Sequence, residues 1–382
     1  MANKKKICFI VASPMTASAF LSAHMQALCL DYEVHLVCDQ RVGLMLDGIG
    51  REVVVTSIGI RRKISPVADL WALISLVKHF SNQRYNVICS VTPKAGLLGM
   101  LAGFLSRTPC RIHIFTGQVW VTRSGLARWV LKTIDKLVAW LATDLLTDSN
   151  SQREFLIRQQ ITNIEKIQVL ADGSICGVDT ERFKINANLR LEVRRELGVP
   201  EAALVVLFLG RISRDKGVLD LASAFARLAV RYDNVWMLMV GPDEENLGQD
   251  VLNRCGAARN RISFVGFTAE PEKFMAASDI FSLPSYREGF GTSVIEAAAC
   301  GLPTVCSNIY GLTDAVVDGV TGLLHTPADI PDIESQLEVL LLNEQLRLQL
   351  GASARRRAVN DFSQARLTDS FKSFIDAHLL PA

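Results

Sequence analysis

The chain has 382 residues, more than the roughly 250–300 at which a single hydrophobic core stops growing, so the sequence predicts two domains. Its composition, 49% hydrophobic and 21% charged with 12 prolines, excludes disordered, collagen-like and coiled-coil proteins. The net charge of +2 is unevenly spread: residues 1–185 carry 22 lysines and arginines against 14 acidic residues, and the remainder carries 19 against 25. We therefore expect the two halves to face different partners.

Neither a membrane span nor a secretory signal is expected. The longest apolar runs fall well short of the ~20 residues that cross a bilayer. Lys4–Lys6 followed by Ile7–Ala12 resembles the start of a signal peptide, but the apolar stretch ends at Ser13 and Pro14. We interpret it as the first strand of a cytosolic protein. The nine cysteines are odd in number and form no CxxC pair, which favours reduced core thiols over disulfides or a metal site.

The first half alternates short apolar runs with longer amphipathic segments. Strands are predicted at Ile7–Ala12, Val34–Cys38, Val53–Ser57, Val87–Ser90, Arg111–Phe115 and Asp144–Thr147. Helices are predicted at 18–30, 67–81, 95–106 and 125–142. This alternation is typical of the α/β class, with a parallel sheet and crossover helices.

The alternation starts again after a linker with two glycines at Asp172–Lys184. Strands are predicted at Leu204–Leu209, Val235–Val240, Ile262–Phe264, Ile280–Leu283, Thr304–Cys306 and Gly322–Leu324. Helices are predicted near 217–231, 271–277, 293–300 and 333–347. A last amphipathic helix, Ser363–Leu380, could close the second domain or cross back to the first. The predicted domains are 1–175 and 176–364, followed by the helix at 365–382, and tandem domains of this class bind ligands in the cleft between them.

The strand, loop and helix over residues 280–299 carry the strongest chemical signal. Glu288 precedes the glycines of the loop, and Glu296 lies one turn into the helix. Backbone N–H groups at a helix start can bind a phosphate, and a carboxylate can accept hydrogen bonds from sugar hydroxyls. A pair of glutamates around a helix start is more often structural, but the glycines between them favour a ligand site.

A second cluster follows the first strand of the second domain. Arg211 and Lys216 flank a turn there, where the first could bind a diphosphate through its two-pronged guanidinium and the second as a point charge. The same residues could equally form a solvated turn. The turn at Val240–Asp243 is explained about as well by turn structure alone as by a functional role.

Together these segments resemble the retaining glycosyltransferases of family 4, which have the GT-B fold. The matching segments run in family order over residues 204–326. They are Gly210-Arg211 with Lys216-Gly217, Val240–Pro242, Phe264–Phe267, Pro284–Gly291 with Glu296-Ala297, Cys300–Val305 and Asp318–Leu323. The resemblance implies two Rossmann-like doubly wound domains facing across a cleft, with a nucleotide sugar bound chiefly by the second.

The resemblance also implies site residues. It assigns Arg211 and Lys216 to the diphosphate, Glu288 to the donor sugar, Glu296 to the ribose and the Val265–Phe267 turn to the base. The implied catalytic residues are Arg211, Lys216 and Glu288. The implied nucleotide-sugar-binding residues are Gly210, Val265, Gly266, Phe267, Gly289, Phe290, Gly291, Thr292 and Glu296. No metal and no cofactor is implied beyond the donor itself, which is expected to be UDP-linked.

The first half resembles a bacterial branch of the family that acts in O-antigen and capsule assembly on undecaprenyl-diphosphate-linked sugars. Ser90–Gly96 and His113–Trp120 carry this resemblance. Acceptor-side residues are expected at Thr16, Lys94, Thr116, Gly117 and Gln118. Many members have glycines after the first strand and a histidine before the glycine of the fifth-strand loop; here Ser13–Ser18 has no glycine and Thr116 replaces the histidine. No catalytic histidine is therefore carried over, and His113 is expected to be structural.

Residues 123–142 form a basic amphipathic helix. Arg123, Arg128, Lys132 and Lys136 alternate with Trp129, Ile134, Leu137, Trp140 and Leu141. Such a helix could lie in a membrane interface with anionic lipid, or it could pack on the sheet with a solvated basic face. Arg61–Lys63, Trp71 and the positive first half favour a membrane surface or a lipid diphosphate. Nucleic acid is not expected as a partner, because no binding motif accompanies the charge.

The resemblance predicts a retaining, metal-independent glycosyltransferase. It would move a hexose or N-acetylhexosamine from a UDP-sugar to a polyprenyl-diphosphate-linked sugar, at the cytoplasmic face of the inner membrane. Two alternatives stay open: a GT-B UDP-sugar epimerase, and a non-catalytic sugar-nucleotide-binding partner of a transferase. A dehydrogenase is disfavoured because no GxGxxG motif follows the first strand.

Overall fold

A computed structural model describes residues 4–39, 49–61 and 65–379. The chain forms two compact units, residues 1–176 with 364–382, and residues 177–363. It leaves the first unit one residue after the predicted boundary and returns to it at Gln364. Arg62 and Lys63 of the predicted basic cluster lie outside the described residues.

The first unit is a seven-stranded parallel sheet with helices on both faces. The strand order is β3-β2-β1-β4-β5-β6-β7, so the direction of winding reverses between β1 and β4. Its elements are β1 Lys6–Ile10, α1 Pro14–Phe20, α2 Ser22–Cys29, β2 Glu33–Cys38, β3 Val54–Ser57, α3 Pro66–Gln83, β4 Val87–Val91, α4 Pro93–Leu105, β5 Cys110–Phe115, α5 Gly125–Leu141, β6 Asp144–Thr147, α6 Asn150–Arg158 and β7 Ile167–Val169.

The second unit repeats this arrangement with six parallel strands. Its order is β10-β9-β8-β11-β12-β13, with the reversal between β8 and β11. The elements are α7 Ala187–Glu196, β8 Leu204–Leu209, α8 Val218–Arg231, β9 Val235–Val240, α9 Gly248–Cys255, β10 Ile262–Gly266, α10 Pro271–Ala276, β11 Ile280–Leu283, α11 Thr292–Ala299, β12 Thr304–Ser307, α12 Leu312–Ala315, β13 Gly322–His325, α13 Ile330–Leu342 and α14 Glu344–Asp361. The α/β class and the twelve predicted strands are confirmed.

Several helices differ from the prediction. The segment predicted as one helix over 333–347 is two helices, because the Asn343 side chain accepts a hydrogen bond from the Leu346 N–H and so caps the start of α14. The segment at 18–30 likewise divides at Leu21 into α1 and α2. The sequence prediction lacked β7, which is only three residues long, and the helices α6, α7, α9 and α12.

The C-terminal helix α15, Gln364–Leu379, packs on the first unit. Phe371 stacks on the His24 ring with their centroids 4.7 Å apart and is fully buried. The Tyr32 hydroxyl donates to Asp376 at 2.5 Å, and Lys372 forms an ion pair with Asp31 at 2.8 Å. The helix therefore completes the core under α2.

The nine cysteines are free, and eight of them are buried. Burial raises the pKa of the Cys89 and Cys306 thiols well above the ordinary value. These thiols are therefore core residues, as the sequence predicts.

Candidate functional site

The loops after β8 and β11 meet at the carboxyl edge of the second sheet, because the two strands are neighbours there. Lys216, in the first loop, forms an ion pair with Glu288 in the second. The Ser285 hydroxyl donates to the same Glu288 carboxylate oxygen at 2.9 Å. Both charged side chains of the pair are mostly buried, with 16% and 12% of their surface exposed. Two of the three residues implied as catalytic are thus in direct contact.

Asp215 joins the two loops a second time. Its carboxylate pairs with Arg287 at 2.8 Å, and its backbone carbonyl accepts a hydrogen bond from the Tyr286 N–H at 2.9 Å. Desolvation would raise the pKa of Asp215, but the Ser213 hydroxyl and the charges of Arg287 and Arg211 lower it below its usual range. An ionised Asp215 therefore orders both loops, a role that sequence reasoning missed because only the sheet order brings these residues together.

Arg211 lies in the same loop and bonds two carboxylates. Its guanidinium contacts Glu244 at 2.8 Å and Asp215 at 3.7 Å. Desolvation lowers the pKa of Arg211, but the hydrogen bond to Glu244 and the surrounding carboxylates outweigh it and raise the pKa. The two cations that the resemblance assigns to the diphosphate, Arg211 and Lys216, are therefore each already paired with a carboxylate.

Gly217 and Gly241 allow these loops to approach closely. Gly217 has φ +66°, and a Cβ there would lie 2.0 Å from the Pro284 carbonyl oxygen. Gly241 has φ +135°, and its Cβ would lie 1.9 Å from the Gly210 oxygen. From the sequence, the turn after β9 could be explained by turn structure alone. In the structure it needs its glycine in order to fit against the loop that carries Arg211.

The predicted base-binding turn, Val265–Phe267, continues this row of loops. Gly266 has φ +75°, and its carbonyl accepts a hydrogen bond from the Gly241 N–H at 2.8 Å. Phe267 is 59% exposed at the end of β10, so its ring is open to a ligand. Gly210, Gly241 and Gly266 thus lie side by side at three neighbouring strand ends.

Glu296 occupies the first turns of α11 and is partly buried. Desolvation raises the pKa of its carboxyl to about 7, the nearby Arg182 lowers it and Glu272 raises it. Arg182 pairs with Glu272 at 2.7 Å and donates to the Ala269 carbonyl, two residues beyond Phe267. Arg182 therefore links the segment after the base-binding turn to the surroundings of Glu296, and nothing in the sequence pattern indicated it.

The loop from Gly289 to Thr292 leads into α11. Gly291, at φ +83°, precedes the helix and offers no side chain to cap it. The Phe290 ring is buried against Phe362, with centroids 5.1 Å apart. Phe290 can therefore contact a ligand only through its backbone. The backbone groups of Gly289, Gly291 and Thr292 are available in the same way.

The predicted acceptor-side residues all follow carboxyl ends of neighbouring strands in the first sheet. Thr16 lies in α1 after β1, Lys94 in α4 after β4, and Thr116 and Gly117 after β5. Lys94 is paired with Asp69 at 2.6 Å. Gln118 was expected to contact the acceptor directly, but its side chain is buried, with 2% of its surface exposed. Its amide donates to the Thr116 carbonyl at 2.6 Å. Gln118 therefore shapes this loop from within.

Thr92, at the end of β4, has a strained backbone with φ +76°. A β-branched residue rarely adopts this conformation, and such strain occurs often at functional sites. Nearby His113 is 2% exposed and hydrogen-bonded to the Ser90 hydroxyl at 2.8 Å, and burial lowers its pKa to about 3. A Cβ on Gly96 would lie 2.4 Å from the His113 ring, so this neutral histidine is a packing residue, as predicted.

One group of described residues could hold a metal ion: Cys110, Asp144 and His378. Cys110 and Asp144 begin β5 and β6, so the group lies at the amino edge of the first sheet. The His378 ring is 3.0 Å from Asp144. The group is therefore at the opposite edge from the acceptor-side residues.

Sequence and fold comparisons agree on the class of protein that these two units define. The model of the group 1 glycosyl transferases matches residues 190–357, and a glycosyl transferase 4-like domain matches residues 16–173. The capsular polysaccharide biosynthesis glycosyltransferase CapM of Staphylococcus aureus is 30% identical over 84% of this chain and 84% of its own. The UDP-Gal:α-D-GlcNAc-diphosphoundecaprenol α-1,3-galactosyltransferase of Escherichia coli is 27% identical over 90% and 89%.

Solved structures show the same fold. HepE from Anabaena, in complex with UDP and glucose, superposes with a TM-score of 0.80 at 20% identity, over 98% of this chain and 100% of that one. Sucrose-phosphate synthase from Thermosynechococcus elongatus also gives 0.80 at 20% identity, over 98% and 99%. The GT-B fold is confirmed. The chain belongs to the group 1, family 4-like glycosyltransferases.

Proposed function

We propose that the chain is a retaining glycosyltransferase that moves a hexose or N-acetylhexosamine from a UDP-sugar to a hydroxyl of a polyprenyl-diphosphate-linked sugar. The observation that carries the proposal is the pair of cations, Arg211 and Lys216, held beside Glu288 at the strand reversal of the second sheet. The relative from Escherichia coli is named for a UDP-galactose donor and a diphosphoundecaprenol-linked acceptor.

In the proposed reaction the bond from the sugar C1 to the donor phosphate oxygen breaks, and a bond from C1 to the acceptor oxygen forms on the same face. The acceptor proton passes to the departing phosphate, so no enzyme nucleophile or base is needed. Arg211, Lys216 and the amino end of α11 would stabilise the charge that develops on the diphosphate. These groups would serve in place of a metal ion, so we propose that neither a metal nor another cofactor is required.

The ion pairs of the free protein fit this sequence of events. Lys216 is paired with Glu288, and Arg211 with Glu244. An arriving diphosphate would compete for both cations and release the Glu288 carboxylate to accept hydrogen bonds from the hydroxyls of the donor sugar. Glu296 would accept hydrogen bonds from the ribose, and the exposed Phe267 ring would lie against the base.

The acceptor would be met by Thr16, Lys94, Thr116 and Gly117 at the edge of the first sheet, in a loop that Gln118 shapes. None of the described helices is both long and apolar enough to cross a bilayer. A lipid-linked acceptor therefore implies peripheral association with the cytoplasmic face of the inner membrane, which we include in the proposal.

The test is a panel of UDP- and GDP-sugars offered to the purified chain with synthetic polyprenyl-diphosphate sugars. We expect transfer from one UDP-sugar, with the anomeric configuration retained when the product is examined by NMR. An inverted product would overturn the retaining mechanism. An epimerised donor formed without acceptor would favour the epimerase, and turnover only with a second protein would favour the binding-partner alternative.

A further inference from the structure

Helices α3 and α5 leave large apolar side chains exposed on their outer faces. Trp71 on α3 is 66% exposed, as is Trp140 on α5, and Trp129 is 65% exposed. Val67 and Leu126, near the starts of the two helices, are 71% and 75% exposed. Tryptophan and aliphatic side chains of this size are normally buried, so their common exposure needs an explanation.

These side chains belong to one face of the first unit. Helices α3, α4 and α5 connect β3 to β4, β4 to β5 and β5 to β6, all in the same direction across the sheet. Right-handed crossovers place all three on the same side, and α4 packs between the other two. Phe104 of α4 contacts Trp140 of α5 with ring centroids 5.5 Å apart. We call this surface the α3–α5 face.

The charge of the α3–α5 face is one-sided. Arg128, Lys132 and Lys136 follow one another at four-residue intervals along α5 and form a basic stripe beside its apolar stripe. The three helices contain two carboxylates, and both are engaged inside the unit. Asp69 pairs with Lys94 at 2.6 Å, and the buried Asp135 accepts a hydrogen bond from the Trp120 indole N–H at 2.7 Å.

We propose that the α3–α5 face binds the surface of an anionic bilayer. The tryptophans would enter the headgroup region, where an indole finds both apolar and polar surroundings, and the basic stripe would meet lipid phosphates. A second copy of the chain fits less well, because its own α3–α5 face offers no free carboxylate to the basic stripe. The inference rests on the membrane association in the proposed function. It adds which surface binds the bilayer: the α3–α5 face, which includes α3 and α4 as well as the helix predicted at 123–142.

The test uses the full chain and vesicles of phosphatidylcholine with or without phosphatidylglycerol. We expect sedimentation with the anionic vesicles that weakens as salt rises, because exposed charges are screened within a Debye length. The double variant Trp129→Gln with Trp140→Gln should bind these vesicles at least about tenfold more weakly at every salt concentration. Arg128→Gln with Lys136→Gln should also weaken binding by about tenfold or more and flatten the salt dependence.

Matched controls come from the second unit. Val230 and Leu348 are 82% and 65% exposed there, and Arg259 and Arg356 are exposed cations. Glutamine at either pair should leave vesicle binding unchanged. Far-UV circular dichroism and a cooperative urea transition report that each variant is folded in both units, and neither measurement needs a membrane.

Equal vesicle binding by the parent chain and the tryptophan variant would overturn the proposal, as would no binding by either. A dimer in solution that the tryptophan variant converts to a monomer would assign the face to a second copy instead. Transfer to a short-chain, water-soluble acceptor separates the failure of the membrane surface from the failure of the proposed reaction. If sugar is transferred but vesicles are not bound, the surface is wrong and the reaction stands. If vesicles are bound but no sugar is transferred, the surface stands and the reaction is wrong.

Discussion

Lys216 and Glu288 form an ion pair although 72 residues separate them in the chain. Each stands in a loop at the carboxyl end of one of two neighbouring strands, and Ser285 fixes the carboxylate from the other side. The pair keeps two charges in a mostly buried place, and in the proposed reaction it would separate when the diphosphate of the donor binds.

Replacing either cation should slow transfer. We expect Lys216→Ala and Arg211→Ala each to lower kcat by at least ~10-fold, because each loses a charge-assisted hydrogen bond of roughly 1.5–3 kcal/mol to the departing diphosphate. The matched control is Arg214→Ala, since Arg214 lies in the same turn but its side chain is 65% exposed, and its guanidinium is 3.8 and 3.9 Å from the carboxylates of Glu245 and Asp250. Near-parental rates in both site variants would remove them from the mechanism.

The carboxyl of Glu296 should make stability depend on pH. Its folded pKa of about 7 lies above the ordinary glutamate value of 4.5, so the folded protein holds more protons than the unfolded chain between these values. Stability should therefore fall as pH rises from 4.5 to 7 and stay lower above that. We expect the unfolding free energy of Glu296→Gln, measured by urea denaturation, to exceed that of the parent by roughly 1–3 kcal/mol at pH 8. At pH 4 the two unfolding free energies should be equal. The same gain at both values would contradict the titration.

Nucleotide affinity should show the opposite dependence. An ionised Glu296 can accept two hydrogen bonds from a ribose diol. The protonated carboxyl carries an O–H donor in place of one acceptor oxygen, so it can accept fewer of these hydrogen bonds. The affinity for UDP, measured by calorimetry, should rise as pH increases through about 7, and Glu296→Gln should flatten this rise. Unchanged UDP affinity in the variant at pH 8 would exclude Glu296 as the ribose ligand.

Removal of divalent ions should leave activity intact. Cationic side chains and helix N–H groups neutralise the diphosphate in the proposed mechanism, so EDTA should not change the rate of transfer. Activity that disappears with EDTA and returns with Mg²⁺ or Mn²⁺ would show that the two cations are insufficient.

Gly241 should tolerate no side chain. A Cβ would lie 1.9 Å from the Gly210 oxygen, a backbone atom that cannot move without displacing the Arg211 loop. We expect Gly241→Ala to cost about 3 kcal/mol or more in unfolding free energy. Gly198→Ala is the matched control, because its φ is also positive, at +65°, but nothing lies within 4 Å of a Cβ there; it should cost only about 1–2 kcal/mol.

The strand pattern was predictable because parallel strands buried on both faces are continuous apolar runs, as in Leu204–Leu209. The break at Asn343 was not, because a side-chain cap interrupts an apolar periodicity that continues across it. Contacts that depend on the order of strands in the sheet could not be predicted either. The Asp215–Arg287 pair joins residues 72 positions apart, and the Arg182–Glu272 pair joins residues 90 positions apart. The buried state of Gln118 could not be inferred from its place in a polar loop, because Thr116 and Gln152 supply its partners.

The return of α15 to the first unit sets an order for events on the ribosome. The second unit is continuous from residue 177 to residue 363, so all of its chain has been synthesised before α15 exists. The first unit, whose seven strands are made earliest, must wait for Phe371, Phe374 and Ile375 to cover the apolar surface beside α2. The earlier-made half should therefore remain the more protease-sensitive one until α15 has left the ribosome, and a chain that stops after residue 363 should contain a folded second unit joined to an unfinished first one.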